Sequence, residues 1–537
     1  MYREGITILD NYGNHPSFIA ISLGNELGGD KGILKQLVKA FRRYDERRLY
    51  VQGTNNFFWD NALAKGDYYW ITARTGKANN QWSNDVRSSF AFCDARNGGI
   101  INGRYPSTST TYTDAIKDIP VPVIGHEVGQ YQVYPNFDEI SKYTGVLEAR
   151  NFQIFRKRLQ NTGMINQAKN FLKASGMLSA ICYREDIETA IRTPGFGGFQ
   201  LLDLQDYPGQ GTALVGLLDA FLDDKGIISA EEFRQFCNDV VPLLIMNKYC
   251  WTNNEIYTAQ IKIANYSPAT LLNKTIHWII LTDEDKKLNE GTFNLKEIVQ
   301  GEITSVGKIQ FKLNSLKVAK KIVVKISIDG TNYKNKYSFW VYPFDINIKI
   351  PPDITIASVL DKALIDRLNN GAKVLLFPDT AMISKKSVPG LFISDFWNYK
   401  MFEKISEDNK KPVSPGTLGI LTNPNHSIFN SFPTEFYSDW QWWIIIKNSN
   451  ALILDNTDKN YRPIVQVIDN IDRNHKLGMI FEFKVGKGKL LVCTSNLLSI
   501  MDKPEAKQLY YSILKYMESN KFAPQNTISI DKLKELL

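Results

Sequence analysis

Short runs that are apolar at nearly every position alternate with stretches of helical period over residues 1 to about 245, and this alternation limits the fold most. Phe18–Leu23, Leu49–Val51, Tyr68–Thr72, Val121–Gly125 and Gly198–Leu202 read as strands; helices are predicted over 2–12, 33–41, 137–160, 164–176 and 229–246. A strand that is apolar on both faces must be covered on both, which implies a parallel sheet flanked by helices. At most five βα units can be counted. A closed (β/α)8 barrel needs eight, so residues 1–248 are expected to form a partial TIM barrel holding strands four to eight.

From about residue 250 the period drops to two. Tyr257–Ala264, Thr275–Leu281, Lys308–Leu313, Lys321–Ser327 and Tyr337–Tyr342 are strands separated by turn clusters, the pattern of an Ig-like β-sandwich over 249–345. Pro343, Pro351 and Pro352 mark an exit linker. Strand–helix alternation then returns over 352–520, with a helix at 357–369 capped by Asn370-Gly371, strands at 373–377 and 488–494, and a helix from Pro504 to Met517. This is the expectation for a doubly wound α/β domain of flavodoxin-like or glutamine-amidotransferase-like type. Residues 521–537 read as a polar tail with a short amphipathic helix. The chain is thus expected to be multidomain, α/β plus β, as 537 residues exceed one ordinary core.

Several function classes are disfavoured. The net charge of +8 is small for this length and its lysines are scattered, so no nucleic-acid partner is expected. No apolar run reaches the ~18–20 residues of a membrane span. The five cysteines form no metal-ligand spacing. The stretch Asp219–Glu232 resembles an EF-hand by eye, but with Gly226 at loop position 6, position 1 falls on Phe221, which cannot ligate calcium. Gly486-Lys487-Gly488 reads as a turn rather than a phosphate loop, Cys493 as a buried thiol, and Trp440, Trp442 and Trp443 as packing residues. No metal and no cofactor are expected.

Two carboxylates carry the chemistry. Glu26 and Glu127 each stand just past the C-terminal end of an apolar strand, the edge at which parallel α/β folds build active sites. Glycoside hydrolysis with retention needs one carboxyl as proton donor and another, about 5–5.5 Å away, as nucleophile.

The segments around them resemble glycoside hydrolase family 2, the family of β-galactosidases, β-glucuronidases and β-mannosidases. Asn14-His-Pro-Ser-Phe-Ile-Ala-Ile-Ser-Leu-Gly-Asn-Glu26 is similar to the family's acid/base strand, and Pro120-Val-Pro-Val-Ile-Gly-His-Glu-Val-Gly-Gln-Tyr131 to its nucleophile strand. The resemblance implies that Glu26 is the acid/base, Glu127 the nucleophile, and Asn25 a donor to the sugar's 2-hydroxyl and to the nucleophile. It further implies substrate contacts from His126, Gln130 and Tyr131, from Asn55 and Trp59 after the strand at 49–51, and from Tyr69, with Tyr68 or Trp70 as alternatives. Two departures stand out. Gly13 replaces an arginine before Asn-His-Pro, so an ion pair low in the barrel is missing or replaced. At Gly197-Gly-Phe-Gln-Leu-Leu-Asp-Leu-Gln-Asp206, Leu202 replaces the tryptophan platform for the sugar while Asp203 is kept, with Gln205 and Asp206 as polar replacements.

The implied activity is that of a retaining exo-glycosidase, β-galactosidase-like, acting on a carbohydrate substrate. β-Glucuronidase, β-mannosidase or arabinosidase specificity are alternatives on the same scaffold, and a non-catalytic carbohydrate-binding protein is the alternative from another class. The resemblance implies that a jelly roll, an Ig-like domain and three βα units precede the point where this chain begins, so it is expected to be the C-terminal portion of a longer, periplasmic or secreted enzyme, with no signal peptide read before its own first helix. Three absent barrel strands would leave two open parallel edges and a half-exposed core, which leads to the further expectation that the isolated chain is weak or inactive; whether the two glutamates meet at working distance depends on those strands.

Overall fold

A computed structural model describes residues 1–56, 63, 65–78 and 81–537. In the first region, β1 (Ala20–Ser22) pairs in parallel with β2 (Leu49–Val51). β3 (Trp70–Thr72) is followed by the hairpin β4 (Arg74–Ala78) and β5 (Gln81–Asp85), and pairs in parallel with β6 (Val123–Gly129), which pairs in parallel with β7 (Gly198–Leu202). Backbone hydrogen bonds from Tyr68 to Tyr50 (3.3 Å) and from Asn55 to Ile71 (2.9 Å) join the two groups. Five parallel strands therefore follow one another in the order β1-β2-β3-β6-β7. The helix Tyr2–Tyr12 and the helix Lys31–Tyr44, capped by Asp30, pack beside β1 and β2 through Leu9, Val38, Phe41 and Tyr50.

The helices after β6 differ from expectation in three places. The stretch 137–160 divides into a 3-10 segment Phe137–Lys142 and a helix Arg150–Asn161. The helix expected over 164–176 instead runs as Ala168–Ile191, and 17 of its 24 residues are buried. A helix covered on all sides has no polar face, and this one buries Ser175, Ser179, Glu185, Asp186 and Glu188 as well, so its period fades in sequence. The predicted helix 229–246 stops at Phe236. Val240–Ile245 is a strand, β8, because two β-branched residues and Pro242 oppose helix there, and β8 lies at a sheet edge where proline is tolerated.

β8 belongs with the strands that follow, which pair antiparallel except for β9 against β15: β9 (Cys250–Thr252), β10 (Ile256–Asn265), β11 (Leu271–Thr282), β12 (Lys287–Ile298), β13 (Glu302–Lys312), β14 (Lys320–Ile328) and β15 (Lys334–Tyr342). They form a three-stranded sheet, β13-β10-β8, and a five-stranded sheet, β12-β11-β14-β15-β9. Alternate residues of the two sheets, including Tyr257, Ile261, Ile276, Ile280, Val324 and Phe339, meet in one core. β12 was not expected from sequence, and its residues are nearly all exposed or half-buried.

The last region holds β16 (Ile354–Ala357), β17 (Lys373–Leu376), β18 (Ser387–Pro389), β19 (Thr417–Thr422), β20 (Asn450–Ile453), β21 (Val465–Asp469), β22 (Leu477–Val485) and β23 (Gly488–Cys493) in one eight-stranded sheet. Only β16, β17 and β23 run parallel; the other pairings are antiparallel, so the sheet is mixed rather than doubly wound. The Gly486-Lys487 turn, with Gly486 at φ +57°, reverses the chain between β22 and β23. The predicted helix at 357 starts at Lys362 behind its Asp361 cap. Residues 521–537 are no loose tail: Leu533 and Leu536 of the helix Ile530–Leu536 are buried, and Ile528 donates to the Lys484 carbonyl (3.0 Å).

This region is fused to the first one through the long helix. Leu178, Cys182 and Tyr183 share a core with Phe392, Ile420 and Trp442. Gly419 makes the approach possible: it sits at φ +96°, and a Cβ there would lie 2.8 Å from the Leu178 side chain. Gly419→Ala is expected to cost about 2 kcal/mol through crowding and left-handed strain, read as a lower urea midpoint with unchanged slope.

Candidate active site

Both glutamates project from the same sheet edge, and both have left-handed backbones, φ 51° at Glu26 and 51° at Glu127. Such φ values are uncommon outside Gly, Asn and Asp. Among the described residues only Glu26, Glu127, Gln130, Leu222 and Lys410 adopt them without being one of those types, and three of the five line this cleft. At Glu127 the cause is visible in the register. Gly125 and Val128 oppose Phe199 and Leu201, so His126 and Glu127 form a bulge that re-aims the carboxylate. At Glu26 the backbone N–H is held by the Thr54 carbonyl (2.8 Å), just past the end of β1.

One donor atom each from Glu26, His126 and Glu127 lie within 4.8 Å of one another. The two carboxylates therefore approach each other within this chain. Glu127 accepts hydrogen bonds from Asn25 Nδ2 and Gln130 Nε2 (3.4 Å each), and His126 Nε2 (3.3 Å) and Arg87 Nη1 (3.8 Å) lie close to its carboxylate. Asn25 is fixed by the Thr54 hydroxyl, which donates to its Oδ1 (2.9 Å).

The environments separate the two acidities. Burial raises the Glu26 carboxyl above the usual range and the negative charge of Glu127 adds to this, outweighing a hydrogen bond from Asn55. Burial pushes Glu127 up as well, but His126, Arg87 and Asn25 prevail and hold it below the usual range. One carboxyl is thus kept protonated to higher pH while its neighbour stays ionised, the division an acid and a nucleophile require.

The cleft, of about 450 Å³, is lined by Asn25, Glu26, Glu127, Gln130, Leu202 and Asp203 among the predicted residues. Asn55 reaches it through Glu26. His126 is buried behind Glu127, its Nδ1 3.3 Å from Gln200 Oε1. Gln205 does not line the cleft and donates to Asp203 (3.3 Å). Asp206 is no polar replacement, being buried in an ion pair with Lys225 (2.7 Å). Tyr69 packs against Val51 and Ile71 with its hydroxyl pushed up to about 12 by burial, Trp70 is buried, and Tyr68 is exposed beneath Arg42. Trp59 lies outside the described residues. Tyr131 points into the core, its hydroxyl on Asp186 (3.1 Å). Where Gly13 departs from the family pattern, its carbonyl accepts a hydrogen bond from Arg48.

Arg87, absent from the sequence-level candidates, is fully buried and donates to the carbonyls of His126 (3.0 Å) and Glu127 (3.2 Å), clamping the bulge. Asp186 of the long helix accepts from Ser88 N (2.9 Å), Tyr112 (3.1 Å) and Tyr131 (3.1 Å), bracing both Arg87's strand exit and the turn after Gln130. Phe396, Trp397, Met401 and Phe402, also unforeseen, form the cleft's apolar wall. Local sequence offers no signal for Arg87 or Asp186, whose roles follow only from burial.

Residues 255–343 match a family described as Domain of unknown function (DUF8488), and residues 355–537 one described as Domain of unknown function (DUF8487). No curated protein matches the chain. Several solved structures similar to it are glycoside hydrolases, and another is the CARDB domain of a Pyrococcus furiosus protein, 11% identical over 19% of this chain and 94% of that one, TM-score 0.15. An FMN-binding β-glucuronidase from Facaelibacterium prausnitzii L2-6 is 13% identical over 64% of this chain and 43% of that one, with a TM-score of 0.26. The exo-chitosanase of Amycolatopsis orientalis, in complex with PNP-β-D-glucosamine, is 10% identical over 63% of this chain and 38% of that one, TM-score 0.36. A family 123 glycoside hydrolase from Clostridium perfringens is 10% identical over 26% of this chain and 38% of that one, TM-score 0.16. The chain spans less than half the length of these three glycoside hydrolases.

Asp186→Ala would leave one buried N–H and two tyrosine hydroxyls without this acceptor, and is expected to cost about 3 kcal/mol or more. Equilibrium denaturation checks this; a change below about 0.5 kcal/mol would show that the network does not brace the site.

Proposed function

We propose that the chain hydrolyses terminal sugars as a retaining glycosidase of the glycoside hydrolase family 2 type, β-galactosidase-like, on a partial (β/α)8 scaffold followed by an Ig-like sandwich and an α/β accessory region. The observation that carries this reading is the pair Glu26 and Glu127, within 4.8 Å and with acidities shifted in opposite directions. One oxygen of each carboxylate within that distance supports retention, which needs the two groups close together, about 5–5.5 Å apart.

In the proposed reaction the ionised Glu127 attacks the anomeric carbon while Glu26 gives its proton to the leaving oxygen. A glycosyl ester forms on Glu127 and the aglycone departs as an alcohol. Glu26, now ionised, takes a proton from water, whose oxygen attacks the same carbon and releases Glu127. Asn25, already directed at Glu127, is placed to donate to the sugar's 2-hydroxyl. Among the described residues, the ionisable side chains lining the cleft are Glu26, Glu127, Asp94 and Asp203, Tyr207 and Arg87, and Arg87 donates to backbone carbonyls. This balance supports a neutral sugar over a uronic acid.

Hydrolysis of 4-nitrophenyl β-D-galactopyranoside is the expected activity. Glu127→Gln should lower kcat by on the order of 10³-fold or more, and Glu26→Gln by ~10²–10⁴-fold. Binding without hydrolysis would favour the non-catalytic alternative instead.

The pH profile of kcat/KM should be bell-shaped, its acid limb set by Glu127 below the usual carboxylate range and its alkaline limb by Glu26 above it. Arg87 lowers the Glu127 pKa, so Arg87→Met should move the acid limb to higher pH. The same Glu26, His126 and Glu127 donors could also hold a divalent cation. Turnover unchanged by EDTA is the result expected here, and loss of turnover restored by a metal would favour that second reading.

A further inference from the structure

The family resemblance leaves one gap, the sugar platform at which this chain carries Leu202. Leu202 lines the cleft, and among the described residues no aromatic residue of β1, β2, β3, β6 or β7 lines it in that place. The flat apolar surface comes instead from a segment some 270 residues beyond Glu127, where Phe396, Trp397, Met401 and Phe402 line the same cleft as the glutamates.

This segment is bolted to the catalytic strand rather than resting near it. Gln132 N donates to the Asp395 carbonyl (3.0 Å), Gln132 Nε2 donates to the Trp397 carbonyl (3.2 Å), and the Ser394 hydroxyl donates to the Gln132 carbonyl. Tyr131 and Phe396 form an antiparallel bridge. The attachment begins one residue after Gln130, whose side chain touches Glu127. Trp397 is half-buried and braced edge-on by Phe402 (5.7 Å, 88°), which also meets Phe396 (5.0 Å). Phe396 packs on Ala91 and Cys93 of the first region. A ring held this way is preorganised, and the C–H face of a pyranose gains apolar contact on it at little entropic cost.

We propose that Trp397 is the sugar platform of this site, so that the C-terminal α/β region completes the substrate cleft. The proposal rests on the glycosidase reading of Glu26 and Glu127 and adds a specificity-determining residue to it.

Steady-state kinetics with 4-nitrophenyl β-D-galactoside, β-D-glucoside and β-D-mannoside test it on the full chain. Trp397→Leu keeps apolar bulk against Phe402 but removes the flat face. It should raise KM at least tenfold with kcat changed less, at an unchanged unfolding midpoint. Trp397→Phe should restore KM to within about threefold. Should Trp397→Leu unfold, calorimetric affinity of Glu127→Gln for the same glycosides, with and without Trp397→Phe or Trp397→His, reads the same contact. Turnover abolished by Glu127→Gln but with KM indifferent to Trp397 would overturn this proposal alone. Neither hydrolysis nor binding of any of the three glycosides would overturn it together with the glycosidase reading.

Discussion

A single buried carboxylate organises the site. Asp186, in the middle of a helix enclosed on all sides, gathers Ser88, Tyr112 and Tyr131 around its two oxygens. Burial raises its carboxyl above the usual range, and the hydrogen bonds from these partners oppose that shift. Ser88 adjoins Arg87, which clamps the bulge carrying Glu127, and Tyr131 adjoins Gln130, which touches the Glu127 carboxylate. The geometry of the glutamate pair is therefore set from beneath, by a helix none of whose described residues lines the cleft. The same helix docks β19 across Gly419, so the site and the C-terminal region share one support.

Left-handed backbone at Glu26, Glu127 and Gln130 is the local cost of aiming three side chains at one point. It is tolerated because each is over-determined: Glu26 by Thr54, Glu127 by Arg87, and Gln130 by its contact with the Glu127 carbonyl (3.3 Å). The result is an asymmetric pair of acids. Glu26 has burial and a neighbouring charge raising it, whereas Glu127 has donors on several sides. Retaining hydrolysis asks for that asymmetry, and it arises from neighbours rather than from residue type.

Much of this was legible in sequence where a pattern is local. The strands at 49–51 and 198–202 fall where their apolar runs place them, and the Glu26 and Glu127 motifs mark two side chains that do converge. What escaped was non-local. The end of helix 168–191 carries buried acids whose partners lie some 50 to 150 residues away, so no local period reveals it. β8 was hidden inside a helical reading because Val240-Val241-Pro242 is ambiguous until a partner strand accepts it. The mixed sheet of the last region depends on a two-residue hairpin at Gly486 that reverses β23 against β22. Trp397 could not be placed, since its relevance comes from the pairing of Gln132 with Asp395 across the chain. Tyr69, chosen by position in a motif, packs in the core instead.

The central claim is that Glu127 becomes covalently glycosylated with Glu26 as its acid/base partner. Incubation with a 2-deoxy-2-fluoro-β-galactosyl donor carrying a good leaving group slows the second displacement and lets the ester accumulate. Peptide mapping by mass spectrometry should then find one fluorosugar per chain, attached to Glu127. No adduct, or an adduct on any other residue, would contradict the account.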